Sequence, residues 1–511
     1  MRAAAVLLPL SSLRRRDDLG RGEIPALGDL MVWLDRIGHR VLQLLPLCES
    51  APGENSPYNA LSVFALDPLL IGTGELAGVT PQAYAQARAQ VGRRRSLSRR
   101  ESWVIKGPLL AAAFAHFERH ADPRARAEFA AYLEAERDWL EDYALFRALK
   151  EKLQWRAWES WPTALARRER DALDGARREL ARPIAMYQYW QFLAACQWRA
   201  LADRRRALAV RISGDLAFCP ARDSADVWAN QAQFRLDRCV GAPPDAFSPQ
   251  GQRWGLPLPD WSAMVQDDFR WWRRRARHAA SLYDLARIDH VVGFYRTYHY
   301  PCDKPEAPGL FTPANTEAQR TQGERFIAML KQEMGTGALI AEDLGAVPQW
   351  VKDSLGELEI PGLKVFRWER EHWGTTEERL ISPAHYPQLA VATTGTHDTE
   401  PLAQWWREAS FGERQKVRLA FNFPPRHPEA SRLDQQELDA ILRPLYLSPA
   451  CLAMIPMQDL FGWTGRVNRP GTISQRNWRY RLPIALEDFS GGAMEARAAQ
   501  LRQLAHLGRR D

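Results

Sequence analysis

The sequence is poor in the features that announce many functions. Its 511 residues include only six cysteines: Cys48, Cys196, Cys219, Cys239, Cys302 and Cys451. None forms a C-x-x-C pair, so neither a zinc site nor a disulfide framework is signalled, and reduced thiols in a cytoplasmic protein are expected. No run approaches the roughly 20 apolar residues that span a bilayer, so no membrane partner is expected. The opening "MRAAAVLLPLSSLRRR" has an apolar run of only about eight residues and no small-x-small cleavage site, and reads as a first strand and loop. An H-E-x-x-H pair, a Walker loop and a G-x-S-x-G elbow are all missing. "GTGELAG" (Gly72 to Gly78) fits a loose nucleotide fingerprint, but Gly78 and Pro81 spoil the helix that must follow it, which leaves a turn. No metal and no cofactor are expected. The net charge of +7 is modest for this length, and arginine runs such as "GRRRSLSRR" come without a nucleic-acid motif, so no nucleic-acid partner is expected.

Short apolar segments that end in acids are present instead. The composition is that of a globular protein, 46% hydrophobic and 26% charged. "RVLQLLPL" (Arg40 to Leu47), "ALAVRISGD" (Ala207 to Asp215), "LARIDH", "LIAEDLG", "LKVFRW", "LAVATTGTHD" and "CLAMIPMQD" read as buried strands, and patterns with helical spacing separate them. The segment Asp267 to Asp284 is one such helix, and "GERFIAMLKQEMG" is another, closed by Gly335. Strand alternating with helix about eight times, with acids at the carboxyl ends, favours a closed (β/α)8 barrel with catalytic groups on the loops after the strands. Residues 76–206 break the rhythm and read as a helical insertion between the second and third strands of one catalytic unit spanning 1–511, with no separate C-terminal β domain. The 20 tryptophans serve mostly as packing, although flat aromatic faces also suit sugar rings.

Asp289, Glu342 and Asp398 each follow such a strand. One acid after a strand is usually a turn former or helix cap. Three that share a barrel rim converge on one pocket, and paired carboxylates in a cleft suit glycosidic chemistry. Arg287 lies two residues before Asp289, on the same strand face, and its charge should keep that acid ionised as a nucleophile must be. Glu342 follows "LIA" and precedes Asp343, so burial and nearby negative charge should raise its pKa toward that of a working acid. His290 has no chemical role assigned by the pattern.

With these residues in view, the chain resembles glycoside hydrolase family 77, the amylomaltases or 4-α-glucanotransferases, along nearly its whole length. "HRVLQLLPL" with "NSPYNALSVFALDPLLI", "ISGDLAFCPARDSADVWAN", "GAPPDAFSPQGQRWGLPL", "RIDH", "AEDLG", "TGTHD" and "PMQDLFGWTGRVNRPGTISQRNWRYRL" are similar to family motifs and follow the family order. The resemblance implies a (β/α)8 barrel and a retaining double displacement on α-1,4-glucans such as maltooligosaccharides, with no cofactor. It implies Asp289 as nucleophile, Glu342 as general acid and then base, and Asp398 as the group that holds sugar hydroxyls. It further implies that Arg287, His397, Asp215, Tyr58 and Ser56 line the same subsite, and that Gln252, Trp254, Asn468 and Ser474 touch the glucan chain. The chain departs at Val292 and Thr399, where many members carry Arg and Asn; none of the three acids is touched. A mainly hydrolytic α-glucanase on the same site, or a glucan-binding protein without turnover, are the alternative functions. A monomer or homodimer is expected.

Overall fold

The computed structural model describes residues 2–244, 250–335, 338–423, 432–472 and 474–511. Eight parallel strands close into a barrel: β1 (Ala3–Leu7), β2 (Val41–Gln43), β3 (Arg211–Leu216), β4 (Leu285–Ile288), β5 (Ala338–Ala341), β6 (Gly362–Val365), β7 (Ala390–Thr393) and β8 (Leu452–Pro456). Each strand pairs with its neighbours in chain order, and β8 returns to β1. The strands are shorter than the apolar runs that announce them. Leu44 to Leu47 lie past the end of β2, and Phe366–Trp368 form a 3-10 turn after β6.

A side-chain period of two separates inside from outside. Leu7, Val41, Leu285, Ile340, Leu363 and Val391 form one buried cluster that fills the barrel. The residues between them, among them Val6, Leu42, Ile212, Ala286, Ile288 and Leu339, face outward into a second cluster shared with the surrounding helices. Gly214 on β3 belongs to that outer face. A Cβ there would stand 2.2 Å from the Tyr283 ring, so only glycine lets the tyrosine pack on the strand. The inner register continues upward through Asp215, Arg287 and Ile340, which are direct partners on β3, β4 and β5. The barrel's apolar filling thus gives way to charge at its carboxyl end.

Between β2 and β3 the chain builds a layer of helices, from Pro81–Val91 to Ala181–Arg205. They hold the loop after β2 in place. Glu49 is buried there, accepting from Arg147 Nε at 3.0 Å and from the Tyr143 hydroxyl, and Gln191 pairs with both backbone groups of Leu66. The loops after β3 and β4 pair into a four-stranded antiparallel sheet on the rim, in the order Gln252–Pro259, Phe234–Ala242, Thr297–Pro301, Leu310–Thr312. The loop after β6 forms a hairpin of Arg370–Glu371 and Arg379–Leu380. After β8 come the short helix Met457–Phe461, a 3-10 turn and the helix Gly492–Leu507. Among the described residues no helix is long and apolar enough to cross a membrane.

One expectation from the sequence is corrected. Cys239 and Cys302 form a disulfide, which ties the rim loop after β3 to the rim loop after β4. The two residues are 63 positions apart and become neighbours only because Phe234–Ala242 pairs with Thr297–Pro301. No local spacing could announce that. The four other cysteines are free thiols. The tryptophans are largely core, with Trp228, Trp272 and Trp406 fully buried.

Ile340 tests the layered filling of the barrel directly, because it supports the Asp215–Arg287 layer from β5. Ile340→Ala is expected to lower unfolding stability by about 2–5 kcal/mol in urea titrations. A change below about 0.5 kcal/mol, the size of an ordinary surface substitution, would contradict the packing described.

Candidate active site

Arg287 lies at the centre of the carboxyl end of the barrel, with its side chain 7% exposed. Its Nη1 donates to both oxygens of Asp215 at 2.8 Å and to Asp289 Oδ1 at 2.9 Å, and its Nη2 lies 3.9 Å from Glu342 Oε2. One guanidinium therefore touches three carboxylates on three consecutive strands. Burial alone would lower the Arg287 pKa; Asp215, Asp289 and Glu342 outweigh it and carry the value well above normal. Asp215, fully buried beside it, is raised by loss of water, with Arg287 opposing.

Asp289 is the first residue past β4, and its N–H donates to Leu216 O, which anchors the strand end. Glu342 is the first residue past β5. Both of its carboxyl oxygens accept backbone N–H groups, Oε2 from His290 at 2.8 Å and Oε1 from Leu344 at 3.0 Å. Burial pushes Glu342 up, Arg287 pulls it down and Asp289 pushes it up again, leaving a pKa of about 7. The negative neighbour is Asp289 rather than Asp343, as the sequence suggested. Asp343 turns away and accepts from the Leu363 N–H at 2.7 Å, at the foot of β6, because adjacent residues at a strand end point to opposite faces. The two acids are thus placed in different electrostatic settings, one against a cation and one buried beside an anion.

His290 takes left-handed backbone, φ +47°, which turns its N–H toward Glu342 and its ring toward the rim sheet. Burial lowers its pKa to about 4. The neutral ring sits edge-on to Trp254, 4.8 Å between centroids, and Gln252 Oε1 accepts from Trp254 Nε1 at 3.0 Å. Gln252 and Trp254 are thereby fixed on the rim strand beside the Asp289–His290 turn. Residues 245–249 of the "GAPPDAFSPQ" motif lie outside the described residues.

On the other side, the loop after β2 delivers Tyr58, whose hydroxyl donates to Asp215 Oδ2 at 2.8 Å. Ser56 shapes that turn, its Oγ accepting from Tyr58 N at 3.3 Å. His397 stacks on Tyr58, 5.5 Å between centroids, and its Nε2 lies 3.2 Å from the Tyr58 hydroxyl and 3.4 Å from Asp398 Oδ1. The hydroxyl has one proton, which goes to Asp215, so both groups facing Nε2 are acceptors and Nε2 carries the imidazole proton. Asp398, five residues past β7, is half-exposed and accepts from Asn468 Nδ2 at 2.7 Å. Ser474 is exposed and closes its own turn by accepting from Arg476 N; no contact joins it to the acids. The structure thus brings together Asp289, Glu342, Asp398, Arg287, Asp215, Tyr58 and His397, with Ser56, Asn468, Gln252 and Trp254 around them.

Two further residues take part. Trp478, in left-handed backbone at φ +63°, sets its ring 5.7 Å from Tyr58 and 5.6 Å from His397. Arg466 donates to Asp398 O and, at 2.6 Å, to Asn468 O, bracing the closing loop. Both lie within the closing motif, where nothing but the surplus of tryptophan marked Trp478. Among the described residues no group of three or more His, Cys, Asp or Glu side chains is placed to hold a metal ion.

The family profile described as 4-alpha-glucanotransferase, glycoside hydrolase family 77, matches residues 8–486. The chain belongs to this family. It is 34% identical over 497 residues to the 4-alpha-glucanotransferase of Thermus thermophilus, covering 93% of this chain and 94% of that one. It is 31% identical over 500 residues to the 4-alpha-glucanotransferase of Chlamydia pneumoniae, covering 95% and 92%. Its structure matches the amylomaltase of Streptococcus agalactiae, solved in complex with acarbose, with a TM-score of 0.87 at 27% identity over the whole of both chains.

Replacing the shared cation isolates its role. Arg287→Met leaves the buried Asp215 and the part-exposed Asp289 without their partner and is expected to cost about 3–5 kcal/mol in unfolding stability. Stability within about 1 kcal/mol of wild type would mean that the ion cluster is not held as described.

Proposed function

We propose that this chain transfers α-1,4-glucan segments between maltooligosaccharides by a retaining double displacement. The observation that carries the proposal is the unequal setting of two carboxyls around Arg287: Asp289 lies in an ion pair, whereas Glu342 is raised to about 7. In the first step an Asp289 oxygen bonds to the anomeric carbon, the glycosidic C–O bond breaks, and the Glu342 proton goes to the departing oxygen. In the second, an acceptor sugar hydroxyl gives its proton to the Glu342 carboxylate, its oxygen bonds to the anomeric carbon, and the ester to Asp289 breaks. Each group ends as it began.

The other residues serve binding and orientation. Asp398, held by Asn468, accepts from sugar hydroxyls, the Nε2–H of His397 donates to a sugar oxygen, and Arg287 keeps the Asp289 carboxylate aligned. Trp254 offers a face for the adjoining sugar, its orientation fixed by His290 and Gln252. Ser474, exposed and bonded within its own turn, would meet the glucan chain away from the bond being broken. The cleft works by positioned hydrogen bonds and acids, so no cofactor enters the scheme. The same reading puts the enzyme in the cytoplasm as a monomer or homodimer; the Cys239–Cys302 bond is the feature at odds with a reducing compartment.

Incubation of the pure protein with maltotriose, followed by chromatography and mass analysis, tests the proposal. Glucose together with maltopentaose and longer chains is expected. Glucose and maltose alone would show that water, not sugar, takes the glucosyl group. Asp289→Asn and Glu342→Gln are each expected to lower kcat by about 10³-fold or more while still folding, because both side chains sit on the rim beyond the packed barrel and Arg287 keeps Asp215 as a partner. Near-wild-type turnover in either variant would remove that residue from the scheme.

A further inference from the structure

Trp373 differs from the tryptophans of the core. It is 52% exposed, and among the described residues no aromatic ring packs against it. Single exposed apolar residues are common and need no function. This one, however, stands on a turn that is braced to hold it. His372 and Gly374 take left-handed backbone at φ +52° and +77°, Gly374 N donates to Glu378 Oε2 at 2.8 Å, and Thr375 N donates to His372 O at 3.1 Å. The Arg370 guanidinium lies over the Trp373 ring, 5.1 Å from its centroid, which supports the ring from one side.

Arg370 is itself fixed. It pairs with Glu378 and Glu413 at 2.6 Å each, and Lys416 pairs with the same two carboxylates at 2.7 and 3.1 Å. The four groups close a square between the hairpin and the helix Phe411–Ala420. An isolated surface pair would contribute little, but a closed network around an Arg370 side chain only 8% exposed fixes geometry. Lys416, the Gly374 N–H and Arg370 together hold Glu378 down at about 2, so the square stays charged at any working pH.

The hairpin stands on the catalytic rim. It follows β6, between β5, which leads to Glu342, and β7, which leads to Asp398. Its base is joined to the site: Arg370 Nε donates to Arg367 O at 2.7 Å, and Arg367 Nη1 donates to Glu400 Oε1 at 3.0 Å, two residues past Asp398. Glu371, His372, Thr375, Thr376 and Arg379, on the same hairpin as Trp373, are exposed and polar. A flat apolar face with a hydroxyl and charged surround matches a pyranose, which offers C–H bonds on its face and hydroxyls at its edge.

We propose that Trp373 is an auxiliary glucan platform on the rim, stacking a glucose unit of a long α-1,4-glucan away from the bond being transferred. The proposal rests on the glucan-transferase reading above. A maltotriose molecule occupies the cleft alone, whereas a chain long enough to leave the cleft meets the hairpin, so the contribution of Trp373 grows with chain length.

The test compares wild type, Trp373→Ala and Trp373→Phe with maltotriose and with amylose. Trp373→Ala is expected to raise KM for amylose about tenfold relative to KM for maltotriose, equivalent to about 1.4 kcal/mol, with Trp373→Phe in between. Retardation in native gels containing amylose is expected to fall in the same order, a readout that does not need turnover. Equal effects on both glucans, or none on either, would overturn the proposal, as would a second copy of the chain found on this face by a Trp373-dependent dimer. If wild type turned over neither glucan, the transferase reading would fail, and gel retardation would still show whether Trp373 binds amylose.

Discussion

Three carboxyls and one guanidinium at the mouth of the barrel cannot all be charged without strain on the fold. Arg287 forms hydrogen bonds to Asp215 and Asp289, and Glu342 is left at 3.9 Å with only backbone N–H groups for company. Glu342 has no direct hydrogen bond to that cation, so burial and the nearby Asp289 outweigh Arg287 and raise its pKa to about 7. In the proposed scheme, this different setting of Glu342 separates a proton-donating group from an attacking one within a single cleft. It depends on register: Asp215 and Arg287 are direct partners on β3 and β4, and Asp289 and Glu342 stand one residue past the ends of β4 and β5.

The rest of the molecule fixes this cluster in place. The helices between β2 and β3 grip Glu49 and Leu66, which holds the loop that carries Tyr58 over Asp215. The loops after β3 and β4 join in one rim sheet, bound by Cys239–Cys302, and that sheet sets Trp254 against His290. The closing loop brings Asn468 and Arg466 to Asp398, with Trp478 against His397. Tyr58, Trp254, His397 and Asp398 are thus positioned by contacts from other elements, whereas Asp289 is held by Arg287 of its own strand.

Much of this was legible in the sequence, for identifiable reasons. Strand ends are marked by apolar runs that stop at an acid, and the period of two places Arg287 and Asp289 on one face, as found. The motifs of the family resemblance carried Tyr58, Asp215, His397 and Asn468 into the same cleft. Long-range contacts were not legible. The neighbour that raises Glu342 is Asp289, 53 positions away in the chain, whereas the adjacent Asp343 turns to the foot of β6. Cys239 and Cys302 meet through strand pairing in a rim sheet that no local pattern announced. Arg466 and Trp478 act through contacts made only when the closing loop folds back, and the contact of Ser474 is to its own turn.

Direct titration of Glu342 tests the central claim most sharply, for example by carbon-13 NMR of a protein labelled at glutamate side-chain carboxyls, with Glu342→Gln used to assign the signal. In the wild type the signal is expected to titrate near 7. In Asp289→Asn, which removes the nearby negative charge and leaves Arg287 in place, it is expected to move to lower pH. A Glu342 that titrates in the ordinary carboxylate range and does not respond to Asp289→Asn would contradict the account.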